Sequence, residues 1–201
     1  MTRPRACGDA GQAFPIYLTV VAGLLFLAFA YFAVGQAAVN RNGAQSAADA
    51  AALAAAQETR DQLADLWTAG VREPTKWQDI FHGNGADDTC WRALELAAMN
   101  DAGNVECDPD GLLGYSVTVQ ANKPIGASVV PGTAERRARA SAIAVIEPLC
   151  TFELPGEDAQ DDVLPKLTCE DGDEGREWEL DPDDLGDLPR PEDLFDVHLA
   201  D

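Results

Sequence analysis

Residues 13–39 read AFPIYLTVVAGLLFLAFAYFAVGQAAV and contain no charged side chain. A helix needs about 20 apolar residues to cross the hydrocarbon core of a bilayer, so this run is long enough to span one. The apolar region of a cleaved signal peptide is shorter, about 7 to 15 residues. We therefore predict a transmembrane helix over 13–39, preceded by a short head at 1–12. Cleavage within the small-residue stretch 34–38 is an alternative that fits the length less well.

The apolar run continues directly into an alanine-rich stretch. Nine of the 13 residues from Ala44 to Ala56 are alanine, the strongest helix former. One helix from about residue 15 to residue 69 is predicted, so that residues 40–70 form a stem outside the membrane. Small side chains let a second helix pack closely, which makes the transmembrane and stem helix a candidate surface for other membrane proteins.

Residues 71–150 have the pattern of a small α+β body. A second helix is predicted over 89–102, followed by alternating strands over 112–121 and about 139–147. The predicted fold class is therefore α+β, with a single N-terminal transmembrane helix that continues into an Ala-rich stem helix and a small extracytoplasmic body. A disordered acidic tail completes the prediction.

The tail prediction rests on charge. The chain has a formal net charge of -21, and residues 151–201 contribute 19 acids against three bases, a net of -16. A segment with so much negative charge and few β-branched residues buries too little surface to offset its chain entropy, so residues 151–201 are predicted to be disordered. An acidic chain also repels phosphate backbones, which argues against nucleic-acid binding.

Flanking charge predicts the orientation of the span. Arg3 and Arg5 precede the run, whereas Arg41 is the one base that follows it closely. The positive-inside rule then favours a cytoplasmic N-terminus and an extracytoplasmic body in a single-pass protein of the cell membrane.

The cysteines agree with export. Cys7 precedes the span, and the four that follow it are Cys90, Cys107, Cys150 and Cys169. An even number of cysteines suits an oxidising compartment and two disulfides. Three pairings are possible, and pairing of sequence neighbours is preferred because it closes the shortest loops.

Nothing in the chain assembles into a recognisable active site. The two histidines, His82 and His198, are far apart, and there is no nucleophile elbow or phosphate-binding loop. Cysteine spacing does not match a zinc site, and the acidic loops do not match an EF-hand. We expect no enzyme activity, no cofactor and no metal site.

Several short sequences together resemble a known family. Gly11-Gln12-Ala13 opens the apolar helix, Asn40-Arg41 follows it, and AQSAADAAALAAAQE comes next. This pattern resembles the N-terminal segment of TadE/TadG-like proteins of the Flp (Tad) pilus assembly system, the TadG-like members in particular. The middle of the chain, with LELAAMN, YSVTVQA and RRARASAIAV, is similar to actinobacterial TadE-like proteins. The resemblance implies a membrane-anchored pseudopilin-like or accessory component of a pilus or secretion system, without catalysis.

One departure concerns processing. Prepilins of this family carry a glutamate shortly after the cleavage glycine, whereas the corresponding place here, near Ile16, is apolar. Gly11-Gln12 is therefore a poor match to a prepilin cleavage site, and we expect the anchor to stay intact. The alternative function is that of a secreted or anchored acidic envelope protein unrelated to pili.

Overall fold

A single helix dominates the architecture. The computed structural model describes residues 13–124, 135–154, 164–171, 174–181 and 186–200, and helix α1 covers Ala13–Ala69 without interruption. At about 1.5 Å per residue the helix is roughly 85 Å long. Pro15 is compatible with it because a proline in the first turn sacrifices no hydrogen bond. This confirms the predicted continuation of the apolar run into the alanine stretch.

The remaining elements form a body around the second half of α1. A 3-10 turn (Pro74–Lys76) leads into α2 (Trp77–Phe81) and then α3 (Cys90–Met99), and a short helix α4 (Pro191–Leu194) lies near the C-terminus. The described strands are β1 (Ala102–Pro109), β2 (Gly114–Pro124), β3 (Arg137–Pro148), β4 (Cys150–Phe152), β5 (Leu167–Asp171), β6 (Glu174–Trp178) and β7 (Phe195–Leu199).

Four of these strands make the main sheet, in the order β1-β2-β3-β7, with each neighbouring pair antiparallel. Alternation along β2 places Tyr115, Val117 and Val119 on the buried face. Ala142 and Ala144 do the same on β3. The two strands predicted by alternation are therefore present, and both are longer than predicted.

Strand β1 was not predicted, and α3 ends earlier than predicted. Both differences arise at Asp101. Asp101 adopts a left-handed φ of 56°, which short polar residues tolerate, and this turns the chain out of the helix into β1. Asn104 has a φ of 47° within the strand, beside a register shift between Gly103 and Glu106. Such a bulged strand has no regular alternation that a sequence pattern can detect.

The region predicted as a disordered tail contains ordered elements. Strand β7 pairs with β3 from Ala144↔Leu199 to Pro148↔Phe195, while β4, β5 and β6 form a second, three-stranded sheet. Leu194 and Phe195 are fully buried. The prediction of disorder over 151–201 is thus wrong for the described parts of that region, because a few large apolar residues and a strand partner outweigh the high charge.

Aromatic rings close the end of the body that lies farthest from the apolar run. Trp67 of α1 contacts Trp77 at 5.4 Å between ring centroids, and Trp77 contacts Phe152 at 5.2 Å. Phe81 links Phe152 to Phe195, at 5.9 and 5.3 Å. These contacts attach the C-terminal strands to the end of α1.

Three buried hydroxyl groups form a closed hydrogen-bond network between α1, α3 and β2. The Thr89 hydroxyl donates to the Ala55 carbonyl at 2.8 Å, so it accepts from Thr59 Oγ1, also at 2.8 Å. Thr59 then accepts from the Tyr115 hydroxyl at 2.9 Å, and Tyr115 accepts from the Thr89 N–H at 3.3 Å. Each hydroxyl donates once and accepts once, so no buried polar group in the network is left unpaired.

Removing the Tyr115 hydroxyl tests this network. Tyr115→Phe leaves the buried Thr89 N–H and one Thr59 lone pair without partners, and we expect a loss of about 1 to 3 kcal/mol in unfolding free energy. Ser141→Ala is the matched control because it removes an exposed hydroxyl that bonds Thr118 at 2.8 Å. Thermal and denaturant unfolding of the full chain in detergent would measure both, and equal effects would contradict the network's importance.

Candidate interaction surface on helix α1

The first half of α1 exposes its apolar side chains all around the helix. Phe14, Leu24 and Phe32 are between 63% and 72% exposed, and Tyr31 is 83% exposed. Helix α1 is the one helix among the described residues that is long and apolar enough to cross a membrane, and none of its most apolar window is buried. Lipid or other apolar helices are the surroundings in which such a surface is stable.

The second half of α1 is enclosed by the chain's own body. Eight of the nine alanines between residues 44 and 56 are buried, namely Ala44, Ala47, Ala48, Ala51, Ala52, Ala54, Ala55 and Ala56. The main sheet covers one side of this stretch and α3 covers another. The alanine surface that the sequence offered to a second protein is therefore occupied within the molecule. Of the two halves of α1, the apolar run is the one left open for helix packing.

The boundary between the two halves is also helical. Asn40 donates a side-chain hydrogen bond to the Gln36 carbonyl at 3.1 Å, one turn earlier. An alanine-free segment with two asparagines and a glycine, residues 40–43, thus continues the helix rather than ending it. The apolar run and the stem are therefore one continuous helix.

Residues 11–58 match the family model described as Flp pilus-assembly TadE/G-like. The match confirms the resemblance over the apolar run and the whole alanine stretch; residues 11–58 are hereafter the Tad segment. No curated protein and no solved structure matches the chain. The Tad segment supports a role in Flp pilus assembly, and the body beyond residue 58 lies outside the match.

Two disulfides brace the body around the Tad segment. Cys90–Cys107 joins the start of α3 to β1, and Cys150–Cys169 joins β4 to β5. Both disulfides join cysteines that are neighbours in the sequence, which is the pairing preferred above because it closes the shortest loops. They hold both layers of the body, one beside the stem and one at the far end.

The other residues singled out from the sequence do not form a common site among the residues that the structure describes. Cys7, Gly11 and Gln12 lie outside the described residues. His198 is exposed and its Nδ1 lies 2.9 Å from Asp196, whereas His82 is at the end of α2. Within the described ranges, no group of three or more histidine, cysteine or acidic residues is arranged to hold a metal ion.

Enlarging one stem alanine tests the packing of the Tad segment against the body. Ala51 is fully buried, so Ala51→Leu is expected to lower the unfolding free energy by about 1 to 3 kcal/mol through overpacking. Gln57→Leu, on an exposed position of the same helix, is the control and is expected to have little effect. Unfolding of both variants in detergent gives the comparison, and a neutral Ala51→Leu would mean that the stem is not closely packed against the body.

Proposed function

We propose that this protein is a membrane-anchored, pseudopilin-like or accessory component of a Flp/Tad-type pilus assembly or secretion system. It acts without catalysis, through contacts with other membrane proteins of that system. The observation that carries the proposal is the combination of the Tad match with an apolar helix half that no part of the described body covers.

The proposed contact surface is the apolar run itself. Its small side chains include Gly23, where an added Cβ would meet nothing within 4 Å. Small residues in membrane helices permit close approach of a second helix, with packing and weak polar contacts as the source of affinity. The stem does not supply this surface because its alanines contact the body.

The proposed orientation places the N-terminus in the cytoplasm and the body outside. Arg3 and Arg5 on the short head favour it. The two disulfides of the body also suit an oxidising compartment.

Helix packing in the membrane predicts a variant that assembles poorly while its own fold is intact. In a strain whose chromosomal copy is deleted, complementation with Gly23→Leu is expected to reduce the number of surface filaments at least tenfold. Ala28→Leu adds similar bulk about 140° around the helix and is the matched control. Filament counts by electron microscopy, with immunoblots for protein level, make the measurement. Normal filaments in the deletion strain itself would refute the pilus role.

The orientation predicts when Cys7 becomes accessible. A membrane-impermeant maleimide applied to intact cells is expected to leave Cys7 unlabelled, and labelling is expected after permeabilisation. The four distal cysteines are oxidised in the structure, so they label only after reduction, and on the outside of intact cells. Labelling of Cys7 on unbroken cells would reverse the proposed topology.

A further inference from the structure

A hydrogen bond between α1 and β3 shows how high the sheet lies relative to the apolar run. Gln45 Nε2 donates to the Ser141 carbonyl at 3.2 Å. From there β3 runs in the same direction as α1, since the chain just after it reaches the aromatic rings around Trp67. A strand advances about 3.3 Å per residue and a helix about 1.5 Å. Arg137, four residues before Ser141, therefore lies about 13 Å nearer the membrane, at the height of residues 36 to 39 of α1.

A second contact gives the same height independently. Pro124 of β2 pairs with Arg137 of β3, so the end of β2 and the start of β3 are neighbours. Lys123 and Asp101 line a shallow cavity together with Val39 and Asn40 at the end of the apolar run. This end of the sheet thus stands beside the last turn of the run.

The length of the run places that turn among lipid headgroups. Residues 14–39 make a helix of about 39 Å, whereas the hydrocarbon core is about 30 Å thick and the whole bilayer about 40 to 45 Å. A span that fills the core therefore leaves its final turns in the headgroup layer. The adjacent end of the sheet is then close to lipid phosphates.

This end of the body is positive although the protein is strongly acidic. Its bases are Arg41, Lys123, Arg136, Arg137 and Arg139, all exposed, and the nearby described acids are Asp101 and Glu135. Five bases against two acids give a local net charge of +3 in a chain of -21. We call these five bases the basic end.

Most of the basic end is free to bind a ligand. Lys123 pairs with Asp101 at 2.7 Å, and this hydrogen bond, with the attraction between the two charges, raises the pKa of Lys123. Within the described ranges, Arg137 and Arg139 have no ion pair. They alternate with Ala138 and Ala140 along β3 and so point away from α1. An exposed guanidinium group of this kind can donate two parallel hydrogen bonds to the oxygens of a phosphate.

We propose that the basic end binds the phosphate groups of anionic lipids in the leaflet from which α1 emerges. The contact holds the body upright on the bilayer, and the acidic far end is repelled from the same surface, which favours the same orientation. The proposal rests on α1 spanning a membrane and is independent of any role in pili.

Hydrogen exchange of the full chain in lipid nanodiscs tests the proposal. Backbone amides of residues 119–124 and 136–141 are expected to exchange several-fold more slowly in phosphatidylglycerol than in phosphatidylcholine. The difference is expected to disappear in 0.5 M salt, about the concentration at which surface charges are screened within a few ångströms. Each base near an anionic surface adds to the attraction, so Arg137→Gln with Arg139→Gln is expected to remove most of this several-fold, lipid-dependent protection.

Lys76→Gln with Lys166→Gln is the matched control, because it removes the same charge from the far end of the body. It is expected to leave the lipid dependence unchanged. Equal exchange in the two lipids, or protection in phosphatidylglycerol that persists in high salt, would overturn the proposal. The salt titration uses the unmodified protein, so it decides the matter even if the double arginine variant fails to fold.

Discussion

Close packing of the alanine face of α1 against the main sheet is the constraint on which the rest of the structure depends. Ala47, Ala51 and Ala55 are fully buried, and they share one core with Val117 and Val119 of β2. A larger residue at any of these positions would push the two layers apart. Packing of an amphipathic face stabilises helices in proteins more than propensity does, so the stem derives its stability from the sheet and the sheet derives its one covered face from the stem.

The polar and aromatic contacts complete this arrangement at different heights along α1. The hydroxyl network of Thr59, Thr89 and Tyr115 joins α1, the start of α3 and β2 at the point where the alanines end. It links the start of α3 to β2. Beyond it, the rings around Trp67 and Trp77 bind the second sheet. A small body gains much from such contacts and from two disulfides, because its apolar core alone is modest.

How far the sequence predicted the structure depends on the kind of information each element carries. Helix α1 could be predicted from its long apolar run and its alanine content, and strands β2 and β3 from their alternation. The Tad resemblance carried by residues 11–58 could be predicted as well. Strand β7 could not, because its pairing with β3 joins residues about 50 apart in the chain, and local charge pointed to disorder. The alanine face was predicted as small and helical, yet no pattern in the sequence said that the chain's own sheet would cover it.

The continuity of α1 has a mechanical consequence for any partner in the membrane. Residues 40–43 remain helical, and the stem beyond them is enclosed on several sides, so no break in the helix separates the apolar run from the body. A helix that packs against the run therefore sets the direction of the sheet as well as the tilt of the span. If the basic end binds lipid as proposed, the arginines at the start of β3 would resist such a tilt, because lowering one edge of the body would bring its acidic surface toward lipid phosphates. A single continuous helix thus carries both the exposed apolar run and the alanine face that is buried in the body, so the surface open to a membrane and the core of the body belong to one element.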